Sequence, residues 1–435
     1  MSGQRFQGRR ARRRVDALTL QDGDFAGKRV LVRVDLNVPL NRRRVADDTR
    51  IQAALPTIQH LREAGAKVIL CSHLGRPKGQ VVPELSLGPI ARHMTRKLSL
   101  DTAFAADCVG PDAEAKVAAM QDGDVLLLEN LRFHAEETAG DAAFATRLAG
   151  LADAYVNDAF GTAHRAHAST ALVAEHLPAY AGLLIEKELR ALGDALAEPE
   201  RPFTAVLGGA KVADKITVIE RLIGGPTASR AGPDGPARAP PDARGVDRLV
   251  IGGGMAFTFL KAQGHDVGRS LVDAERIPLA KDLLGRAEAA GVEVLLPTDV
   301  EEAKAFDAKA DHRAVKVGRM DPKWMGLDIG PDSMEVFADA VRNSATVLWN
   351  GPMGVFEWPA FQFGTRAVAH AMADCPGTTI VGGGDSAAAA KQFKVDRQVT
   401  HVSTGGGASL EFLEGKALPG IVALEQAAKR SAATA

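Results

Sequence analysis

Two kinds of residue gather at the ends of apolar runs in this chain, and each suits one side of a phosphate chemistry. In the first half the residues are polar and basic: Asp35, Asn37, His73, Arg76, Arg132, His134, His164, Arg165 and His167, with Arg50 opening the next helical stretch. Arginine and histidine grouped without interleaved aromatics suit a small anion carrying phosphate or carboxylate, because guanidinium forks match planar oxyanions. They do not make a nucleic-acid platform, which needs stacking rings. In the second half the equivalent positions hold glycines: Gly208-Gly209, Gly252–Gly254, Gly351, Gly382–Gly384 and Gly405–Gly407. Glycine lets a phosphate or a flat ligand approach the backbone, and a helix start beyond it offers free N–H groups and a positive dipole end.

The stretch Thr378–Ala390, TTIVGGGDSAAAA, shows that pattern most fully. A β-branched run stops at three glycines, and an acid, a hydroxyl and an alanine run follow. Asp385 puts a carboxylate where a phosphate-bound Mg²⁺ could sit. Taken alone, the stretch reads equally well as a tight strand-to-helix turn with no ligand. Lys211 and Lys215 stand four residues apart, which on a helix turns both toward one site.

These residues need a scaffold that brings strand ends together. Strands are expected at Lys28–Val34, Lys67–Cys71, Val125–Leu128 and Ala154–Asn157. A second series follows at Phe203–Leu207, Arg248–Ile251, Glu293–Leu296, Thr346–Trp349, Thr378–Val381 and His401–Ser403. Near-continuous apolar strands alternating with helical stretches predict α/β domains whose parallel sheets are covered by helices on both faces. In open sheets of this kind ligands bind beyond the carboxyl ends of the strands. Ile185–Glu198 is an amphipathic run closed by Pro199 and Pro202, with the length and place of an inter-domain helix. Gly224–Gly245 holds five Pro and five Gly in 22 residues and reads as an inserted flexible loop, neither strand nor helix.

A length of 435 residues suggests two or three domains. The net charge of −1 hides a basic arm, since residues 1–14 carry six Arg and no acid. Residues 1–16 are expected to be a disordered arm, with a targeting peptide or a nucleic-acid contact as the minor readings. The body is mildly acidic and has no general appetite for nucleic acid. Cys71, Cys108 and Cys375 are scattered and form no CxxC pair, so neither structural disulfides nor a zinc site is expected, and a reducing, cytoplasmic setting is. No apolar run reaches the roughly 20 residues that span a bilayer, and no secretory h-region is present.

Phosphoryl transfer needs positioning, charge neutralisation and exclusion of water more than covalent help, and an acceptor that is already an anion needs no general base. No Ser–His–Asp set, HExxH or Walker A motif is present; GGAKVADK does not match the last. A dinucleotide oxidoreductase remains as a rival on Gly382-x-Gly384-x-x-Ala387, a weak match without an evident ribose-binding acid. A non-catalytic binding protein using the Arg-rich arm is the other.

Eleven stretches stand in order along the chain: RVDLNVP (33–39), DDTRI (47–51), SHLGRP (72–77), LENLRF (128–133), NDAFGTAHRAHAS (157–169), LGGAKVADKI (207–216), IGGGMAFTFL (251–260), GLDIGP (326–331), WNGPMGVFE (349–357), GGGDS (382–386) and HVSTGGGASLEFLEGK (401–416). In these stretches and their order the chain resembles the phosphoglycerate kinases. The resemblance implies reversible phosphoryl transfer between 1,3-bisphosphoglycerate with ADP and 3-phosphoglycerate with MgATP, by hinge closure of two Rossmann-like domains. It implies a glycerate-binding domain at 17–184, an inter-domain helix at 185–200, a nucleotide domain at 201–405 and a segment at 406–435 that packs back on the first domain. It implies that Asp35 and Asn37 bind the glycerate, and that His73, Arg76, Arg132 and Arg165 hold its phosphate or line its basic patch. Arg50 would stabilise charge on the moving phosphoryl group and the acyl carboxylate, Lys211 and Lys215 would bridge substrate and nucleotide phosphates, and Gly384 and Gly406 would stand beside them. Gly252, Gly326, Asn350, Glu357, Gly382, Gly383 and Ser386 would line the nucleotide site, Gly326 at the adenine and Glu357 at the ribose, and Asp385 would hold Mg²⁺. A monomer is expected. Ser386 stands where the family usually has Thr, Arg42–Arg44 replaces a more usual short turn, and the arm and the 224–245 loop exceed the usual length.

Overall fold

The expected apolar runs form strands because both their faces are covered. The computed structural model describes residues 17–224, 231–232, 235–236 and 245–434; the basic arm and most of the 224–245 loop lie outside them. Within that loop, Ala231–Gly232 pairs antiparallel with Gly235–Pro236, a short ladder where no strand was expected. The chain divides into two units: one runs up to Gly193 and resumes at Ala417, and the other is Asp194–Lys416.

The first unit is built on seven strands: β1 (Leu18–Thr19), β2 (Arg29–Val34), β3 (Lys67–Cys71), β4 (Ala103–Phe104), β5 (Val125–Leu127), β6 (Ala154–Asp158) and β7 (Ala179–Ala181). Their spatial order is β1-β7-β6-β2-β3-β5-β4, and every pairing is parallel. From β2 the chain winds first to one side and then returns to place β6 on the other. The switch point therefore lies between β2 and β6, where such sheets bind ligands. Val30, Val32 and Val34 of β2 pack with Ile51, Ile58 and Leu61 of helix α1 (Thr49–Glu63). Arg33 is the exception on this strand: it is fully buried and paired in register with Cys71 and Asn157.

Helix α2 (Leu183–Ala197) carries the chain across the division between units. In the second unit come β8 (Phe203–Leu207), helix α3 (Ile216–Leu222), β9 (Arg248–Ile251), β10 (Glu293–Leu295), β11 (Asp299–Ala303), β12 (His312–Lys316), β13 (Met325–Ile329), β14 (Thr346–Asn350), helix α4 (Phe363–Asp374), β15 (Thr378–Val381), helix α5 (Gly384–Gln392), β16 (His401–Val402) and helix α6 (Gly407–Leu413). Six of these strands make a parallel sheet in the order β10-β9-β8-β14-β15-β16, with its switch point between β8 and β14. The other three form an antiparallel sheet, β12-β11-β13, absent from the sequence reading. DVEEA and HRAVK are too charged to look like covered strands, and β12 is largely exposed.

Helix α7 (Pro419–Thr434) belongs to the first unit. Gly420 donates its N–H to the Ala163 carbonyl at 2.8 Å, and Arg430 Nη2 donates to the Ala174 carbonyl at 2.6 Å. The return was expected from residue 406; the division falls instead at Lys416/Ala417, because α6 stays with the second unit, packed near α3. Among the described residues no helix is long and apolar enough to cross a membrane.

Candidate active site

In the first unit the polar groups converge beyond the carboxyl ends of β2 and its neighbours. Arg50, on the first turn of α1, donates from Nη1 to Asp35 Oδ2 at 3.0 Å and to the Asn37 carbonyl at 3.3 Å. Asn37 accepts the Gly75 N–H on its side-chain oxygen at 3.0 Å, which joins the loop after β2 to the loop after β3. Asp35 and His73 are buried, Arg165 is half-buried and Arg76 is exposed.

The electrostatics show how tightly these groups are gathered. Burial, then the guanidinium groups of Arg33, Arg132, Arg165 and Arg50, hold the His73 imidazole well below its ordinary range. Burial and the charges of Arg132, Arg33, Arg165 and His164 push His167 down to about 4. Arg132 is pushed down to about 10 by burial and by Arg165 and Arg33, with Arg76 adding to the effect and Glu137 opposing it. Its Nη1 donates to the Gly75 carbonyl at 2.8 Å, while its buried Nε and Nη2 have no partner among the described residues. Buried charged donors left unpaired are costly, and an anion in the cluster would satisfy them.

One buried chain of contacts was not singled out from the sequence. Arg33 donates from Nε to Ser169 Oγ at 2.9 Å, and its Nη2 lies 3.3 Å from His73 Nδ1. Ser169 in turn donates from Oγ to Glu137 Oε1 at 2.7 Å and from its backbone to Oε2 at 2.9 Å. Glu137 is therefore a fully buried acid beneath a basic cluster. A polar residue inside an apolar strand was the available signal for Arg33; nothing in the spacing marked Glu137. His134, expected with the cluster, turns aside and bonds Asp107 through Nε2 at 2.7 Å.

In the second unit a cavity of about 460 Å³ opens beyond the strand ends, lined by residues that include Gly209, Phe257, Leu271, Gly326, Glu357 and Asp385. Gly326 lies on β13, the strand missed from the sequence, and a Cβ there would collide with the Phe257 ring. Glycine thus brings an aromatic wall against the backbone. Phe257, Leu271 and Phe306 supply apolar lining that the glycine motifs alone did not reveal. Asp328 also lines the cavity; burial pushes it up to about 8, although it accepts the Gly364 N–H at the start of α4 at 2.8 Å.

The remaining expected residues of the second unit differ in how they are placed. Asn350 is buried at the end of β14 with its Nδ2 unpartnered among the described residues, and a Cβ on Gly383 would stand 3.3 Å from that nitrogen. Gly383 has φ +88° and precedes α5, a conformation that side chains rarely adopt. A Cβ on Gly384 or Gly406 would meet nothing within 4 Å, so the backbone there is open. Gly252 and Ser386 are engaged in packing: Gly252 presses on Met353, and Ser386 Oγ accepts the Gly351 N–H at 2.6 Å. Gly382 is buried and Asp385 exposed on the first turn of α5.

Lys211 and Lys215 do not share the helix face that their spacing predicts. Lys211–Lys215 forms the turn before α3, which begins at Ile216, so the two side chains are not successive positions of one helix face. Lys211 is exposed. Lys215 is pushed down to about 8 by burial, with Asp214, Asp385 and Glu414 opposing. Asp385 is thus close enough to influence Lys215 through their charges.

Comparison with known proteins agrees with both units. The family model described as phosphoglycerate kinase matches residues 20–227 and 243–416, leaving unmatched the middle of the loop read as an insertion. The phosphoglycerate kinase of Moorella thermoacetica is 56% identical over 409 residues, covering 94% of this chain and 99% of that protein. The structure of phosphoglycerate kinase from Coxiella burnetii is similar with a TM-score of 0.82 at 39% identity, covering 95% of this chain and 100% of that one. The crystal structure of the enzyme from Pyrococcus horikoshii gives a TM-score of 0.76 at 32% identity, with 95% and 99% covered. The dinucleotide oxidoreductase reading falls with these matches. The chain belongs to the phosphoglycerate kinase family, kinases that transfer a phosphoryl group to a carboxyl group.

Proposed function

We propose that the chain transfers a phosphoryl group reversibly between 1,3-bisphosphoglycerate with ADP and 3-phosphoglycerate with MgATP. The observation that carries this reading furthest is Arg132, whose buried Nε and Nη2 lack partners amid other cations. A phosphate of the glycerate supplies the missing acceptors. His73, Arg76 and Arg165 share that phosphate, and Asp35 and Asn37 orient the glycerate. Arg50 stabilises charge on the group in flight. The acceptor is a carboxylate, so no residue has to act as a general base.

The nucleotide occupies the cavity of the second unit, with adenine against Gly326, ribose at Glu357 and phosphates toward Asn350, Gly252 and the Gly382–Ser386 turn. Lys211 and Lys215 neutralise phosphates, and the open backbone at Gly384 and Gly406 faces the transferred group. The acceptor and donor sites lie in different units, so the reading includes hinge closure of one unit on the other. It also includes a monomer working in the cytoplasm, with the Arg-rich arm as the place for any nucleic-acid contact.

The residues fit a Mg²⁺ that arrives with the nucleotide. Asp385 is a single exposed carboxylate at a cavity edge, and Mg²⁺ takes one or two carboxylates while phosphates and water complete its octahedron. Bound there, Mg²⁺ would neutralise phosphate charge. Turnover of 3-phosphoglycerate with MgATP tests the whole reading, and its absence would overturn it. Asp385→Ala is expected to abolish the Mg²⁺-dependent use of nucleotide; unchanged MgATP kinetics would refute the metal role.

A further inference from the structure

The three cysteines form no sequence motif, and a zinc site was not expected for that reason. The fold nevertheless assembles a mixed donor set that neither site described above uses, next to the turn that carries Arg132. Asp107 and Cys108 lie on the loop after β4, and His134 closes the short turn Leu131–Phe133 after the adjacent strand β5. One ligand atom from each of the three lies within 4.8 Å of the others. Tetrahedral coordination by sulfur, nitrogen and oxygen separates ligand atoms by about 3.2–3.8 Å, so small rotations suffice.

Each residue is placed for that role. Asp107 Oδ1 already holds His134 Nε2 at 2.7 Å and is braced by the Cys108 N–H at 2.7 Å. The His134 ring rests on Phe144, with ring centroids 5.2 Å apart, which limits its rotation. The Cys108 thiol is buried and bonded to no other cysteine, while Asp107 is 47% exposed and His134 24%, which leaves an entry path. Metal binding displaces a thiol proton, so Cys108 would serve as the thiolate.

We propose that Asp107, Cys108 and His134 bind one divalent transition-metal ion of the Zn²⁺ class, with water completing a tetrahedron. On binding, Cys108 loses its proton to solvent, and His134 Nε2 exchanges its bond to Asp107 for one to the metal. Soft thiolate with imidazole selects Zn²⁺ over Mg²⁺. Because His134 follows Arg132 by two residues, the ion would clamp the turn that carries Arg132.

The test uses the full chain stripped of metal with a chelator. Added Co²⁺ should produce a thiolate-to-cobalt charge-transfer absorption that Zn²⁺ bleaches, and Zn²⁺ should raise Tm. Cys108→Ser should abolish the absorption, and Asp107→Asn and His134→Gln should weaken Zn²⁺ binding about 10–100-fold. The two partly exposed variants carry the test if Cys108→Ser does not fold. Co²⁺ binding without a thiolate band, or equal Zn²⁺ affinity in wild type and variants, would overturn the proposal; the ion would then be held elsewhere, as at Asp385, or not at all.

Discussion

The candidate site of the first unit gathers charge under burial, and that of the second presents backbone and shape. Around His73, guanidinium groups crowd together against their mutual repulsion, and Glu137 sits beneath them as a fully buried acid. Around Gly326, glycine, Phe257 and Leu271 form a cavity whose charged members, Glu357, Asp385 and Arg269, stand among mostly apolar and backbone surface. The difference follows from the ligands each unit would take. A small phosphate offers little surface and much charge, so binding it depends on charge-assisted hydrogen bonds. A nucleotide offers a flat apolar face, and a snug cavity captures it with few polar anchors. The cost also differs. The first site stores electrostatic stress in the free protein, whereas the second requires particular glycines.

The largest effect expected from this contrast concerns Arg50. Arg50→Ala should reduce kcat by about 10²–10³ while nucleotide affinity stays near wild type. Steady-state kinetics with nucleotide titration would check this, and a nearly unchanged kcat would break the division of labour between units.

Next comes the pH dependence of the second site. Lys215, at about 8 in the free protein, should lose its charge as pH rises through that value. The kcat/KM should then fall by about tenfold per pH unit on the alkaline side. Lys215→Arg should remove that limb, because guanidinium stays charged; a flat wild-type profile from pH 7 to about 9.5 would show that Lys215 does not set it.

Stability separates the units further. Glu137→Gln removes the buried counter-charge and should lower stability by about 3 kcal/mol, read by denaturant unfolding. Arg132→Met should do the opposite, raising Tm while raising KM for 3-phosphoglycerate, because it relieves repulsion and removes unpaired donors. Equal losses of stability in both variants would mean that packing, not charge, governs the cluster.

The smallest effect concerns His167. Its folded value of about 4 lies below the ordinary 6.5, so between those pH values the unfolded chain binds the extra proton. Stability from this group is present above about 6.5 and is lost as pH falls toward 4. His167→Gln should flatten the slope of stability against pH in that window; an unchanged slope would mean that other groups set it.

The parallel strands were legible because an apolar run bounded by glycines or polar loops has one physical meaning in a covered sheet. The sheet carrying Gly326 was not, since Glu301, Glu302, His312, Arg313 and Lys316 make half-exposed antiparallel strands look like surface loop. The polar residues that gather in the first unit were legible individually, because polar groups after strand ends are visible in a linear chain. Arg33 and Glu137 were not, because each depends on Ser169, a residue more than thirty positions away in the chain. The lysine pair failed because spacing was read as helix where the backbone makes a turn.

The sequence by itself determined the α/β class, the strand ends where the candidate site residues gather and the family. Those depend on local composition and on motifs that keep their order along the chain. Tertiary structure decided which groups are charged and which are satisfied. His73 is held neutral, Arg132 is left wanting an acceptor, Gly252 is spent on packing, and Cys108 meets His134, because burial and proximity exist only after the sheets assemble.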